Sequence, residues 1–156
     1  RYPLVTGVQT CALPIYPEPC FKITCKIDFQ HPLIGKQEIT FDRAKNNFGK
    51  EISQARTFGF IQDLELLKKF SLGKGGSLDN AIIIDKDRIL NEEGLRYPDE
   101  FVRHKLLDSL GDFSLLGMPI KGHIITHKSG HTLNHLFIKN FLKNKDAWET
   151  GPAKME

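Results

Sequence analysis

Residues 101–112 read FVRHKLLDSLGD. Val102, Leu106, Leu107 and Leu110 recur at helical spacing, and on a wheel of about 100° per residue they cover one broad arc. His104, Asp108 and Asp112 form a second stripe, drifting by about 40° per step. The stretch is therefore predicted to be a helix with an apolar face for a core and a polar seam of one imidazole and two carboxylates. Residues four apart project from adjacent turns of one face. His104 and Asp108 can thus bring a nitrogen and an oxygen to one zinc ion at roughly 2.0–2.2 Å each. They can equally share a hydrogen bond on a surface helix, and the spacing alone leaves both readings open. Pro98 and Asp99 suit the first turn, and Gly111 sits near the far end.

Working outward, CFKITCKIDF alternates, with Phe21, Ile23, Cys25, Ile27 and Phe29 on one side of a half-buried strand. HPLIGK makes a turn and QEITFD returns as an antiparallel partner. A short helix is expected over residues 48–55. Phe60, Ile61, Leu64, Leu67 and Leu72 again follow helical spacing, and the glycines of GKGGSLDN end that pattern. AIIID is a continuous apolar run of strand length, followed by a turn at KDR and a short strand ILN. Gly122 to His127 form another strand, and HTLNHLFIKNFLKN a closing helix with Leu133, Leu136, Phe137 and Phe141 inward. Strands and longer helices in this order predict an α+β fold, a two-layer sandwich of a mainly antiparallel sheet against two longer helices.

The chain's 156 residues suit one domain with a real core. A net charge of +3, with Lys and Arg dispersed among acids, gives no footprint for nucleic acid. No run of 18 apolar residues exists, so no membrane span is expected. Cys11, Cys20 and Cys25 lack paired CxxC spacing, which argues against a disulfide framework or a thiolate zinc site and favours a reducing cytoplasm. Cys25 is expected to be buried in its strand as a small hydrophobe. Residues 1–16, RYPLVTGVQTCALPIY, have one charge, two prolines and no sustained period. Without an unbroken apolar core they do not form a secretory signal. VTGVQTCALPI resembles the conceptual translation of a sequencing-adapter oligonucleotide, so residues 1–16 are expected to be non-native. The domain is then expected over 17–145, with 146–156 as a linker or tail.

His123, His127, His131 and His135 stand at equal intervals of four. Ser129 and Gly130 break the ladder, leaving the first two on a strand and the last two on a helix. His123, His127 and His135 are read as structural. His131 differs, because a Gly-preceded helix start converges backbone N–H groups on an anion, where an imidazole suits proton transfer or phosphate contact. GKGGSLDN lacks the Walker spacing, and its paired glycines fit a tight turn better than a nucleotide loop.

Taken together, ARTFGF, GGSLDNAIIID, ILNEEGLRYPDEFVRHKLLDSLGD and HKSGHTLN resemble the second domain of the UDP-3-O-acyl-N-acetylglucosamine deacetylase (LpxC) family. The resemblance covers residues 21–142. It implies a zinc amidohydrolase of lipid A synthesis acting on UDP-3-O-acyl-N-acetylglucosamine in the cytoplasm, in a form fused to a 3-hydroxyacyl-carrier-protein dehydratase. It further implies that His104 and Asp108 are two of three zinc ligands. His131 would protonate the amine leaving group as an imidazolium, and Asp112 would orient it. Lys105 would contact substrate on the diphosphate side, and Thr57 would help polarise the scissile carbonyl. Phe58 would line the sugar and nucleotide pocket. A β-α-β insert of about residues 58–85 would form an acyl passage walled by Phe60, Ile61, Leu64, Ser77, Leu78, Ala81 and Ile83.

One departure matters. The family's first domain supplies a glutamate base and an adjacent histidine ligand, yet the six histidines here follow Gln30, Arg103, Gly122, Thr126, Gly130 and Asn134. A catalytic zinc takes three protein ligands plus water, and its water needs a base. The expectation is a truncated deacetylase, inactive until joined to its missing N-terminal domain. The competing class is a non-catalytic module that binds a UDP-sugar or an acyl chain.

Overall fold

A computed structural model describes residues 13–63, 77 and 79–151. Leu64, Leu67, Leu72, Leu78 and the glycines of GKGGSLDN lie outside the described residues.

The alternating stretch forms strand β2 (Phe21–Asp28), which pairs antiparallel with β3 (Lys36–Asp42) in the register Lys22 to Asp42 through Asp28 to Lys36. Its other edge carries β7 (Gly122–His127), running parallel, and β7 in turn carries the two-residue β1 (Ile15–Tyr16) antiparallel. Leu13, 2% exposed, enters the core just ahead of β1, so residues 13–16 are seated on the sheet. Gly122 sits at φ +155°, and a Cβ there would approach the Tyr16 carbonyl oxygen to 3.1 Å. Glycine is what lets β1 lie this close.

A second sheet holds β4 (Thr57–Phe60), β5 (Ala81–Asp85) and β6 (Arg88–Ile89), with β4 and β5 parallel and β5 and β6 antiparallel. Phe60, which helical spacing places at the start of a helix, instead closes β4. The short helix expected after β3 is the single turn α1 (Phe48–Glu51), capped by the Asn47 side chain accepting from Lys50 N–H.

The chain is thus α+β, with mixed sheets against helices. The principal helix, α2 (Glu100–Ser114), buries Phe101, Val102, Leu106 and Phe113 against Ile23, Cys25, Ile27, Ile82, Ile84 and Ile124. Cys25 is 1% exposed, as its strand pattern predicts, and burial pushes its thiol up to about 11. Helix α3 (His131–Lys143) adds Phe137 and Ile138, and Phe137 meets Phe113 edge-on at 5.5 Å. Leu136, expected inward, is 44% exposed; the adjacent Phe137 takes the core-facing position. Beyond α3, Trp148 stacks on Phe141 and donates its indole N–H to the Phe141 carbonyl, so the tail is anchored at least that far.

The start of α2 is fixed by a buried ion pair. Glu100 is fully buried and accepts from Arg56 through its backbone N–H, Nε and Nη2, and from Arg96 N–H. The Arg56 guanidinium also reaches Glu93 and the Gly94 carbonyl. Burial pushes the Glu100 carboxyl up, but the bonds from Arg56 and Arg96 outweigh it and hold the group below its usual range. A carboxylate with a depressed folded-state pKa adds stability at higher pH and loses it as pH falls. Removing one partner of such a pair leaves a buried charge, so Glu100→Ala is expected to cost about 3–5 kcal/mol, read from the urea midpoint at neutral pH. Wild-type stability falls from about pH 4.3 downward through the depressed value. Glu100→Gln lacks that component of the acid loss, measured as the midpoint difference between pH 7 and pH 3.

Candidate functional site

Helix α2 presents its polar seam along the edge of the core. His104 and Asp108 are each about 15% exposed, with His104 Nε2 at 3.3 Å from Asp108 Oδ1. The other ring nitrogen, Nδ1, donates to the Ala55 carbonyl at 3.4 Å. A backbone acceptor on Nδ1 fixes the tautomer that leaves Nε2 as a lone-pair donor for a metal. Burial lowers the His104 pKa, against an upward pull from Asp108 and the Ala55 carbonyl, which favours the neutral ring that ligation requires.

One turn on, Asp112 is 8% exposed and collects hydrogen bonds from helix α3. His131 Nδ1 lies 2.9 Å from Oδ2 and 3.1 Å from Oδ1. Asn134 Nδ2 donates to Oδ2 at 2.8 Å, and His135 Nε2 reaches Oδ1 at 3.0 Å. Burial would raise the Asp112 carboxyl, but the bonds from Asn134, His131 and His135 hold it below its usual range. With Nδ1 engaged, His131 turns Nε2 outward to within 4.0 Å of Asp108 Oδ1. The stripe therefore divides. Asp108 faces His104 and Lys105, whose Nζ is 2.9 Å from Oδ2, whereas Asp112 faces α3.

A cleft of about 470 Å³ opens beside this seam, lined by Phe29, Thr57, Phe58, Phe60, His104 and Lys105 among others. Phe58 forms its floor, edge-on to Phe101 at 5.1 Å and to Phe29 at 5.5 Å. The Lys105 ammonium stands 5.7 Å above the same ring. A neighbouring cleft of about 440 Å³ continues past Phe60 to Ile61 and His31.

The structure thus brings Thr57, Phe58, Phe60, His104, Lys105, Asp108, Asp112 and His131 into one region. The candidate passage residues are divided. Successive strand residues point to opposite faces, and the register pairs Phe58 with Ile82 and Thr57 with Ala81. Phe58 and Phe60 therefore share a face with Ile82 and Ile84, while Ala81 and Ile83 lie on the opposite face. Ile61 and Ser77 are exposed; Leu64 and Leu78 lie outside the described residues.

The histidine ladder splits as its glycine predicts. His123 Nε2 is 2.8 Å from Thr24 Oγ1 on the outer face of the sheet, and His127 is exposed. His135, read as structural, shares Asp112 with His131. Its i, i+4 relation to His131 is the signal that the sequence carried. Asn134 had no such signal, since only the packing of α3 on α2 directs its amide at Asp112.

His104 and Asp108 suit zinc as nitrogen and oxygen donors. Two ligands at about 2.1 Å in a tetrahedral shell lie about 3.4 Å apart, close to the 3.3 Å between Nε2 and Oδ1. Among the described residues, no group of three His, Cys, Asp or Glu side chains is arranged to hold a metal. Nor is any described helix long and apolar enough to cross a membrane.

Residues 3–143 match the family described as LpxC, UDP-3-O-acyl N-acetylglycosamine deacetylase. The chain is 50% identical over 134 residues to the UDP-3-O-acyl-N-acetylglucosamine deacetylase of Myxococcus xanthus, covering 86% of this chain and 43% of that protein. To the enzyme of the same name from Acidithiobacillus ferrooxidans it is 53% identical over 131 residues, covering 83% and 43%. It spans less than half the length of these curated relatives. With a family match running almost end to end and half the aligned residues identical, this chain belongs to the UDP-3-O-acyl N-acetylglycosamine deacetylase family.

Proposed function

We propose that this chain provides two metal ligands and the proton donor for zinc-dependent hydrolysis of the N-acetyl group of UDP-3-O-acyl-N-acetylglucosamine, in the cytoplasmic synthesis of lipid A. The observation that carries the reading is the convergence of three side chains from two helices: His104 Nε2, Asp108 Oδ1 and His131 Nε2 face one another, the two imidazoles oriented by Ala55 and Asp112 respectively.

When bound, zinc would polarise the scissile carbonyl and acidify a water. His104 and Asp108 would hold it, and a third ligand and a general base would come from the part of the relatives that this chain does not span. His131 carries a proton on Nε2, stabilised by the Asp112 carboxylate on Nδ1, and delivers it to the departing amine. Thr57, at the mouth of the cleft, offers a hydroxyl to the carbonyl oxygen. Lys105 presents its ammonium to the diphosphate side, and Phe58 supplies an apolar face for the sugar. Phe60 and Ile61 lead toward the neighbouring cleft, a route for the acyl chain that Leu64, Ser77 and Leu78 would extend, with Ala81 and Ile83 supporting the strand from its other face. Among the described residues the site offers two ligands for the metal, so these residues alone would leave the chemistry incomplete.

In the full-length enzyme, His104→Ala and Asp108→Ala are each expected to take zinc content from one equivalent toward none, with deacetylation falling at least 100-fold, on the order of what positioned metal chemistry contributes. Metal content by atomic absorption and product release from the acetylated substrate measure both, and full activity in either variant removes the ligand assignment. His131→Ala is expected to lower kcat by about 10² to 10⁴ while zinc stays bound. Loss of zinc from that variant reassigns His131 as a ligand.

A further inference from the structure

Asp112 is held by more than the histidine it orients. His135, one turn beyond His131 on α3, places Nε2 at 3.0 Å from Asp112 Oδ1. The carboxylate has no proton to give, so His135 must donate. The two imidazoles lie side by side, with centroids 6.3 Å apart. On the other oxygen, Asn134 donates from Nδ2 at 2.8 Å. Its amide orientation is fixed, because the reverse would set two oxygens against each other at that distance. Its Oδ1 is buried without a partner among the described residues, a cost that would be avoided if the position served packing alone.

His131 Nδ1 sits almost equidistant from the two oxygens, at 2.9 and 3.1 Å. The direction of its Nε2 therefore follows the rotation of the carboxylate, and that rotation is set by Asn134 on one oxygen and His135 on the other. We propose that His135 is a positioning residue: by donating to Asp112 Oδ1 it fixes the carboxylate plane, and through it the aim of His131 at the departing amine. The proposal rests on His131 being the proton donor. Without His135, the carboxylate can turn about its Cβ–Cγ bond toward Asn134, and His131 keeps a bond to Asp112 but loses its aim. Chemistry suffers while substrate and zinc binding do not.

The full-length enzyme with His135→Ala, His135→Gln and His131→Ala tests this. The glutamine amide reaches the place of Nε2 and keeps a donor without an imidazole. His135→Ala is expected to lower kcat about tenfold, the worth of one hydrogen bond to a charged group, with KM and zinc content unchanged. His135→Gln is expected to restore kcat to within about threefold of wild type. If His131→Ala abolishes turnover while His135→Ala keeps wild-type kcat, the proposal fails and the proton-donor reading stands. Should His131→Ala itself retain kcat, both fail together. A loss in His135→Ala that appears in KM or zinc content, or that glutamine does not recover while melting as wild type, also overturns it.

Discussion

The Arg56–Glu100 pair joins the strand that carries Thr57 to the helix that carries His104, and the site depends on that junction. Charges removed from water are tolerated only when their lone pairs and protons are matched. Here both Glu100 oxygens accept, from Arg56 and from the Arg96 backbone, and the guanidinium spends its remaining donors on Glu93 and Gly94. The Arg56 N–H bonded to Glu100 belongs to the peptide unit that carries the Ala55 carbonyl. That carbonyl holds His104 Nδ1, which sends Nε2 toward Asp108. A buried ion pair outside the cleft thus selects a tautomer inside it.

A second junction lies between the helices. Asp108 and Asp112 belong to one stripe of α2, but the drift of that stripe turns the first toward the cleft and the second into the α2–α3 interface. Chemically alike carboxylates then acquire separate roles. Asp108 meets His104 and the Lys105 ammonium at the cleft mouth, and Asp112 is locked by three donors from α3. Phe58 ties this seam to the second sheet, resting on Phe101 of α2 below and facing Lys105 above. The cleft therefore has a floor on β4 that rests on the same helix that supplies its polar groups.

Strand and helix identities were legible because burial imposes a period. Phe21 to Phe29 alternate, Val102 and Leu106 repeat every turn, and GHIITH is bounded by glycine and by Lys128 at φ +51°. What period could not supply was which strands pair. The parallel contact of β2 with β7 joins residues about a hundred apart, and no local pattern encodes it. Phe60 shows the other failure: an aromatic at a strand end satisfies a helical template just as well as a strand. Leu136 shows a third, since it fits the inward arc alongside Phe137 and only packing leaves it exposed.

The sequence by itself determined the spacing of His104, Asp108 and Asp112, the break at Gly130 that sets His131 on a new helix, and a likeness of motifs strong enough to name a family. Those are properties of order along the chain, where helical geometry fixes what faces what. Only the tertiary structure decided that Asn134 and His135 share Asp112 with His131, and that Ala81 and Ile83 lie across the sheet from Phe58 and Phe60. Each depends on how two elements cross or pair, and that is settled by whole-domain packing and not by neighbours in sequence.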